Sequence, residues 1–218
     1  MISTTIDFGP KEQAFFDDFV QSEKLTAKQA NQFKTYLLLL LEWNEKFNLT
    51  AITSVEEVIK FHFQDSLALD RFIDFNAISS IADVGTGAGL PGIPLKIKYP
   101  HLTVFLIEVN NKKISFLNMI FQELGLTESQ TIDLDWRTFL RKTDFAVDIF
   151  VSRASLAPAE LIRIFKPGCP YQNAQLVYWA SKQWVSSELE APLIEKTVSY
   201  MVGNRERQFI FFKKIDVY

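Results

Sequence analysis

Between Lys11 and Trp43 apolar residues recur at three- and four-residue spacing: Phe15, Phe16 and Phe19, then Leu25, then Phe33, Tyr36, Leu37, Leu40 and Leu41. That period puts them on one face of a helix, so the segment reads as helical. Thr26 stands before Ala27 as a capping side chain for a second helix, and Asn48 to Thr50 mark its stop. Two or three helices packed across one edge of the core are expected. After Ile73 the pattern changes to short apolar runs separated by helical stretches: Ser80 to Val84, Thr103 to Ile107, Thr131 to Leu134, Ala146 to Val151, Gln175 to Trp179 and Phe209 to Lys213. Strands alternating with helices predict an α/β fold, with a parallel or mostly parallel sheet covered by helices on both faces. No internal repeat, low-complexity segment or linker interrupts the chain. Residues 1–218 therefore read as one domain, with 1–75 as a helical extension and 76–218 as the sheet-containing core.

The first predicted strand runs into Asp83-Val84-Gly85-Thr86-Gly87-Ala88-Gly89-Leu90-Pro91-Gly92-Ile93-Pro94-Leu95. Three glycines at alternate positions make a turn in which backbone can lie against a ligand without Cβ atoms intervening. Alone the pattern also fits a bare turn that binds nothing. A strand before it, a predicted helix after it, and Glu108 at the end of the next strand, about 20 residues on, strengthen a nucleotide-type reading, with Glu108 as acceptor for ribose hydroxyls. Pro91 and Pro94 remove backbone donors that a pyrophosphate would use. The loop thus suits a ligand without phosphate, and S-adenosylmethionine is the common one. Ligands of such sheets lie beyond the carboxyl ends of the strands, which would bring Asp83, Gly85, Glu108, Trp136 and Arg153 around one molecule.

Composition narrows this further. With 218 residues, 48% of them hydrophobic and 20 of them Phe, the chain can bury a large core. No apolar run is long enough to span a membrane, and Met1 to Pro10 lacks the ordered basic and apolar regions of a signal peptide. The single cysteine, Cys169, excludes an internal disulfide and favours a cytoplasmic setting. A net charge of −3 argues against holding naked nucleic acid by bulk electrostatics, though not against a local basic patch. His62 has no His or Cys at metal-ligand spacing, so no metal site is expected. Helix capping by Asn44 and Asn48, and a satisfied surface pair of His62 with Asp65, are the plain readings of those polar groups.

Taken together, Trp43-Asn44-Glu45-Lys46-Phe47-Asn48-Leu49-Thr50, His62 with Asp65-Ser66, the loop Asp83 to Leu95, Val151-Ser152-Arg153-Ala154, and Arg207 resemble the bacterial 16S ribosomal RNA guanine-N7 methyltransferase G family, also called glucose-inhibited division protein B. The matches span nearly the whole chain in order. The resemblance implies a Rossmann-like, S-adenosylmethionine-dependent methyltransferase with a helical N-terminal extension, acting on one guanine in the decoding region of the small ribosomal subunit. It implies that Gly85 and Leu90 line the cofactor and that Arg153 contacts it or the substrate base. Two successive residues on the adenosine side fall at Trp136 and Arg137, within a residue or two. The chain departs from the family pattern at Ala88 for Pro, Phe61 for Arg, Gln183 for Gly and Glu108 for Asp. Phe61 and Gln183 bear on RNA binding; the other two changes are mild.

Within that reading, backbone from Gly85 through Gly87 and Gly89 to Leu90 packs against the methionine part. Asp83 orients the loop or, through water, the cofactor's ammonium. Trp136 either covers adenine or is a core residue. Arg153 is the catalytic candidate, a fixed, always charged fork for guanine O6 or a phosphate, with a structural ion pair as the alternative. Lys46, Lys182, Arg205 and Arg207 are the RNA-binding candidates, each also readable as a solvated charge. A monomer acting on 16S rRNA or the assembled subunit is expected. Competing readings are a small-molecule methyltransferase, a non-catalytic rRNA-binding assembly factor and, should the loop be misread, a nicotinamide oxidoreductase.

Overall fold

The computed structural model describes residues 8–213, so part of the Met1 to Pro10 stretch read for a targeting signal lies outside the described residues. Helix α1 covers Pro10–Ser22 and α2 covers Ala27–Phe47. Thr26 caps α2 reciprocally with Gln29, and Asn48 ends it in the left-handed conformation at φ 49°. A continuous helical segment then changes pitch: α3 (Val55–Val58), a π-helical stretch (Ile59–Gln64), α4 (Asp65–Leu67) and a 3-10 turn (Ala68–Arg71). The core follows as β1 (Ser80–Val84), α5 (Gly92–Lys98), β2 (Thr103–Ile107), α6 (Asn111–Leu124), β3 (Ser129–Ile132), α7 (Trp136–Lys142), β4 (Ile149–Arg153), α8 (Pro158–Leu161), β5 (Gln175–Ser181), β6 (Ile194–Val202) and β7 (Arg205–Phe212).

The seven strands lie in the order β3-β2-β1-β4-β5-β7-β6. The first five are parallel, and β7 pairs antiparallel with both β5 and β6. Both faces are apolar, which is why the strands read as continuous hydrophobic runs instead of alternating ones. Ile81, Val104, Leu106, Val151, Val177, Trp179, Phe209 and Phe211 face one core, shared with α1, α2, α5 and α6. Ala82, Val84, Phe105, Ile107, Phe150, Leu176, Ile210 and Phe212 face the other, with α7, α8 and Tyr171.

Three expectations need correction. The N-terminal helices do not close an edge: α2 packs against α5 and α6 on the first face. Strand β6 was not anticipated, because it is an edge strand of mostly exposed residues whose apolar alternation is weak. The strands β3 and β4 are shifted by about two residues from the expected runs, since burial by neighbours, not local hydrophobicity, sets where pairing begins.

The extension is joined to the core through aromatic rings. Phe63, fully buried on the π-helical stretch, meets Phe33 at 5.1 Å, Tyr36 at 5.3 Å and Phe19 at 6.0 Å between centroids. We propose that residues 1–75 and 76–218 form one cooperative unit. Phe63→Ala is expected to cost about 3–5 kcal/mol, the range for emptying a buried aromatic site. Urea unfolding should show a single transition at lower denaturant with an unchanged slope; two transitions would mean that the extension folds separately.

Candidate functional site

A cavity of about 580 Å³ opens beyond the carboxyl ends of the parallel strands, a size ordinary for a small-molecule site. Its floor is the loop between β1 and α5. The amides of Gly85 and Thr86 both donate to the Ile107 carbonyl, at 2.9 and 3.2 Å, which folds the loop back across β2. Gly85 has φ +65°, and a Cβ there would lie 2.3 Å from the Ser155 Cβ, so only glycine fits between strand end and the β4 loop. Ser152 and Ser155 hydroxyls donate to the Val84 carbonyl at 3.1 and 2.7 Å, tying the β4 end to the same turn.

Two carboxylates hold the loop from below. Asp83 is fully buried; its Oδ2 accepts from Thr86 Oγ1 at 2.6 Å and from the Gly92 amide at 2.8 Å, while its Oδ1 is buried without a partner. Burial is the main cause that pushes its pKa up to about 6, against the lowering effect of those two hydrogen bonds. Glu108 lines the cavity, accepting from Gly87 N at 3.0 Å through Oε2 and from Val109 and Asn110 amides at 2.9 and 3.0 Å through Oε1. A carboxylate has about four acceptor positions, so Glu108 keeps capacity toward hydroxyls in the cavity. From the extension, Tyr36 OH donates to the Ala88 carbonyl at 2.6 Å.

The opposite wall is basic. Arg153, at the end of β4, donates to Asp65 Oδ2 at 3.0 Å and to the Phe61 carbonyl at 3.2 Å. Asp65 is completely buried and also accepts from Tyr200 OH at 2.7 Å; its backbone carbonyl takes Trp179 Nε1 at 3.1 Å. His62 contacts Thr50 Oγ1 at 2.8 Å, and the Thr50 amide donates to Asn44 Oδ1 at 2.7 Å. Burial first, then the Arg153 charge, push the His62 pKa down to about 3, so the imidazole is neutral. His62 and Asp65 are thus no surface pair: they sit inside the wall. The W-N-x-x-x-N-L-T stretch leads into that same network.

Of the expected site residues, Gly85, Gly87, Leu90, Glu108, Arg153 and Arg207 line the cavity. Asp83 stands behind the loop. Gly89 turns away from it: a Cβ there would lie 2.3 Å from Ile93 Cδ1, so this glycine serves helix packing. Trp136 is a core residue, buried against Phe139 and Phe150, with Nε1 donating to the Glu160 carbonyl at 2.8 Å. Arg137 points outward and forks onto Glu160 at 2.8 and 2.9 Å. The physical reason is that Asp135 caps α7, which directs Trp136 inward and Arg137 outward; Leu134 and Asp135 line the cavity instead. Lys46 pairs with Glu42 at 3.1 Å and Lys182 with Glu206 at 2.5 Å, both outside the cavity, while Arg205 stacks 3.7 Å above the Phe61 ring. Sequence reasoning missed Leu134, Asp135, Ser155 and Lys113, and it undervalued Asp65. The turn chemistry around β4 offered the only signal for Ser155.

A sequence model of the rRNA small subunit methyltransferase G family matches residues 29–207. Proteins named ribosomal RNA small subunit methyltransferase G from Lachnoclostridium phytofermentans and Listeria welshimeri are 37% and 35% identical, each over 88% of this chain and over 84% and 80% of their own lengths. The Macrococcus caseolyticus protein of that name is 49% identical over a shorter stretch, 53% of this chain and 49% of its own length. Among solved structures, the human methyltransferase 10 domain containing protein aligns with a TM-score of 0.58 at 14% identity, over 86% of this chain and 98% of its own. TrmK of M. capricolum, solved in complex with S-adenosyl-homocysteine, aligns with a TM-score of 0.54 at 16% identity, over 69% of this chain and 67% of its own. At such identities the structures establish the fold alone. The family match over most of the chain establishes more: this chain belongs to the rRNA small subunit methyltransferase G family.

Proposed function

We propose that the chain transfers a methyl group from S-adenosylmethionine to N7 of a guanine in the decoding region of 16S rRNA. The observation that carries the reading is a glycine loop and a guanidinium facing one cavity, joined by the Ser152 and Ser155 contacts to the same strand end. The same reading takes the protein to act in the cytoplasm as a monomer on the small subunit. No helix among the described residues is long and apolar enough to cross a membrane.

The residues present fit the cofactor. Gly85 lets the loop lie tight against Ser155 at the cavity floor, Glu108 offers acceptors to hydroxyls, and the orphaned Asp83 Oδ1 is an acceptor behind the loop that a cationic ligand favours. When bound, the cofactor supplies an electrophilic methyl on a sulfonium, with a neutral thioether as leaving group. The protein's part is then position and field. Guanine N7 is a lone pair with no proton to remove, so no general base is required. His62, held neutral, is a wall residue that keeps Thr50 and Arg153 in place. Arg153 presents a rigid fork suited to the acceptor edge of guanine, where N7 and O6 lie side by side.

Arg153→Lys keeps a cation beside Asp65 but loses the fork. Methylation of unmodified small subunits should fall by about a hundred-fold or more, as when a positioned donor is removed from a reacting site, with little change in unfolding midpoint. Full activity would remove Arg153 from the site. The pH dependence gives a second check. Folding raises the Asp83 pKa, so the folded protein holds a proton there that the unfolded chain releases, and stability from this group falls as pH rises from about 4 to about 6. A cationic cofactor favours the ionised form, so its affinity should rise from pH 5 to pH 7. Calorimetry on Asp83→Asn should show that rise flattened; the same slope in both proteins would separate Asp83 from the cofactor.

A further inference from the structure

The ionisable groups around the cavity sort by strand order. Glu108 follows β2 and Asp135 follows β3, on one side of the glycine loop; Arg153 ends β4 and Arg207 lies on β7, on the other. On the acidic side Glu108 has Lys113 Nζ at 3.9 Å. On the basic side Asp65 is the one carboxylate among the lining residues, and two guanidinia share it. Arg153 takes Oδ2 at 3.0 Å, whereas Arg207 Nε stands 3.6 Å from Oδ1, beyond hydrogen-bond length. Oδ1 is already engaged by Tyr200 OH at 2.7 Å. Arg207 Nε is accordingly buried with no hydrogen-bond partner. His62 is neutral, so nothing in this wall offsets the second guanidinium, and one positive charge is left facing the cavity. The Arg207 side chain lines the cavity and is 25% exposed, so an anion entering there would supply the missing charge and an acceptor for the guanidinium.

Two anions could come within reach, the cofactor's carboxylate and a phosphate of the RNA strand. Strand order favours the phosphate, because Arg207 reaches Asp65 from the far side and Arg153 on β4 stands between it and the glycine loop. β7 lies three strands from β1, roughly 14 Å away at about 4.8 Å per strand, while the glycine loop follows β1 itself. We infer that Arg207 is a phosphate ligand: its guanidinium, aimed by Asp65, takes a phosphodiester oxygen of the RNA strand that carries the target guanine. Asp65 is then a positioning residue serving both guanidinia. This inference rests on the methyltransferase reading and specifies how that site takes its RNA.

The test compares wild type with Arg207→Gln in methylation of unmodified small subunits over a series of KCl concentrations. S-adenosyl-homocysteine binding by calorimetry and the unfolding midpoint are measured alongside. The KM for subunits should rise about ten- to a hundred-fold, the value of one charge-assisted hydrogen bond. The salt dependence of that KM should flatten by about 0.7 to 0.9 in logarithmic slope, one phosphate contact's worth. Cofactor-product affinity should stay unchanged. An unaltered KM and salt slope would overturn the inference, as would a parallel loss of S-adenosyl-homocysteine affinity, which would assign the guanidinium to the cofactor carboxylate. If Arg207→Gln does not fold, Arg207→Lys decides through competitive inhibition by inorganic phosphate at constant ionic strength. A weakened inhibition constant supports the site and an unchanged one overturns it. Failure of wild type to bind S-adenosyl-homocysteine is a different result, and it would sink the methyltransferase reading itself.

Discussion

One buried carboxylate holds the catalytic end of this molecule together. Asp65 comes from the N-terminal helical extension, yet its side chain and carbonyl are bonded to Arg153 of β4, Trp179 of β5 and Tyr200 of β6, with Arg207 of β7 close by. An isolated ionised carboxylate at zero exposure would be untenable; what allows it is two guanidinia and a phenol converging on two oxygens. Removing any one partner leaves charge behind, so the arrangement fixes where the extension sits on the sheet. The extension is thus part of the site wall and not a lid laid over a finished enzyme. The change of helical pitch at Ile59–Gln64 serves the same end. A wider turn places Phe61 and His62 against the cavity while Phe63 enters the aromatic core, a π-helical irregularity of the sort often found at functional positions.

The glycine loop shows the complementary strategy, in which rigidity is built from backbone. Its amides at Gly85 and Thr86 are used by Ile107, that at Gly87 by Glu108, and that at Gly92 by Asp83, while its Ala88 carbonyl is taken by Tyr36. Nearly every polar group of the turn is therefore spoken for before a ligand arrives. Such a loop offers shape and van der Waals contact more than free donors, which is what a sulfonium ligand without phosphate needs and a dinucleotide does not.

Much of this was legible in the sequence, and the failures have physical reasons. The strands through β5 and the loop could be read because apolar runs and glycines carry local meaning. Strand β6 could not, since an edge strand with Glu195, Lys196 and Ser199 exposed gains its place from pairing with β7. The Gly203-Asn204 pair before Arg205 was the available hairpin signal. Trp136 and Arg137 fall outside the cavity because a cap one residue earlier decides which side of α7 faces in, and a shift of one residue exchanges inside for outside. Asp65 was undervalued for another reason: its four partners lie between 88 and 142 residues away in sequence, where periodicity says nothing.

The net charge of −3 then ceases to be a difficulty for an RNA substrate. Bulk charge governs long-range attraction, and that is screened within about 8–10 Å at physiological salt. What acts at contact distance is the local field, and here strand order separates it: carboxylates gather over β2 and β3, guanidinia over β4 and β7. The Lys46 and Lys182 charges are paired with Glu42 and Glu206 outside the cavity, so they add little to that field. A cationic small molecule is favoured on one side of the loop and an anionic strand on the other, and the two meet where β1 and β4 lie side by side. An evenly basic surface would attract RNA more strongly, but it would hold the strand without regard to where the reacting carbon sits. A weakly acidic chain with one inward-facing cationic wall gives up that general attraction and gains orientation.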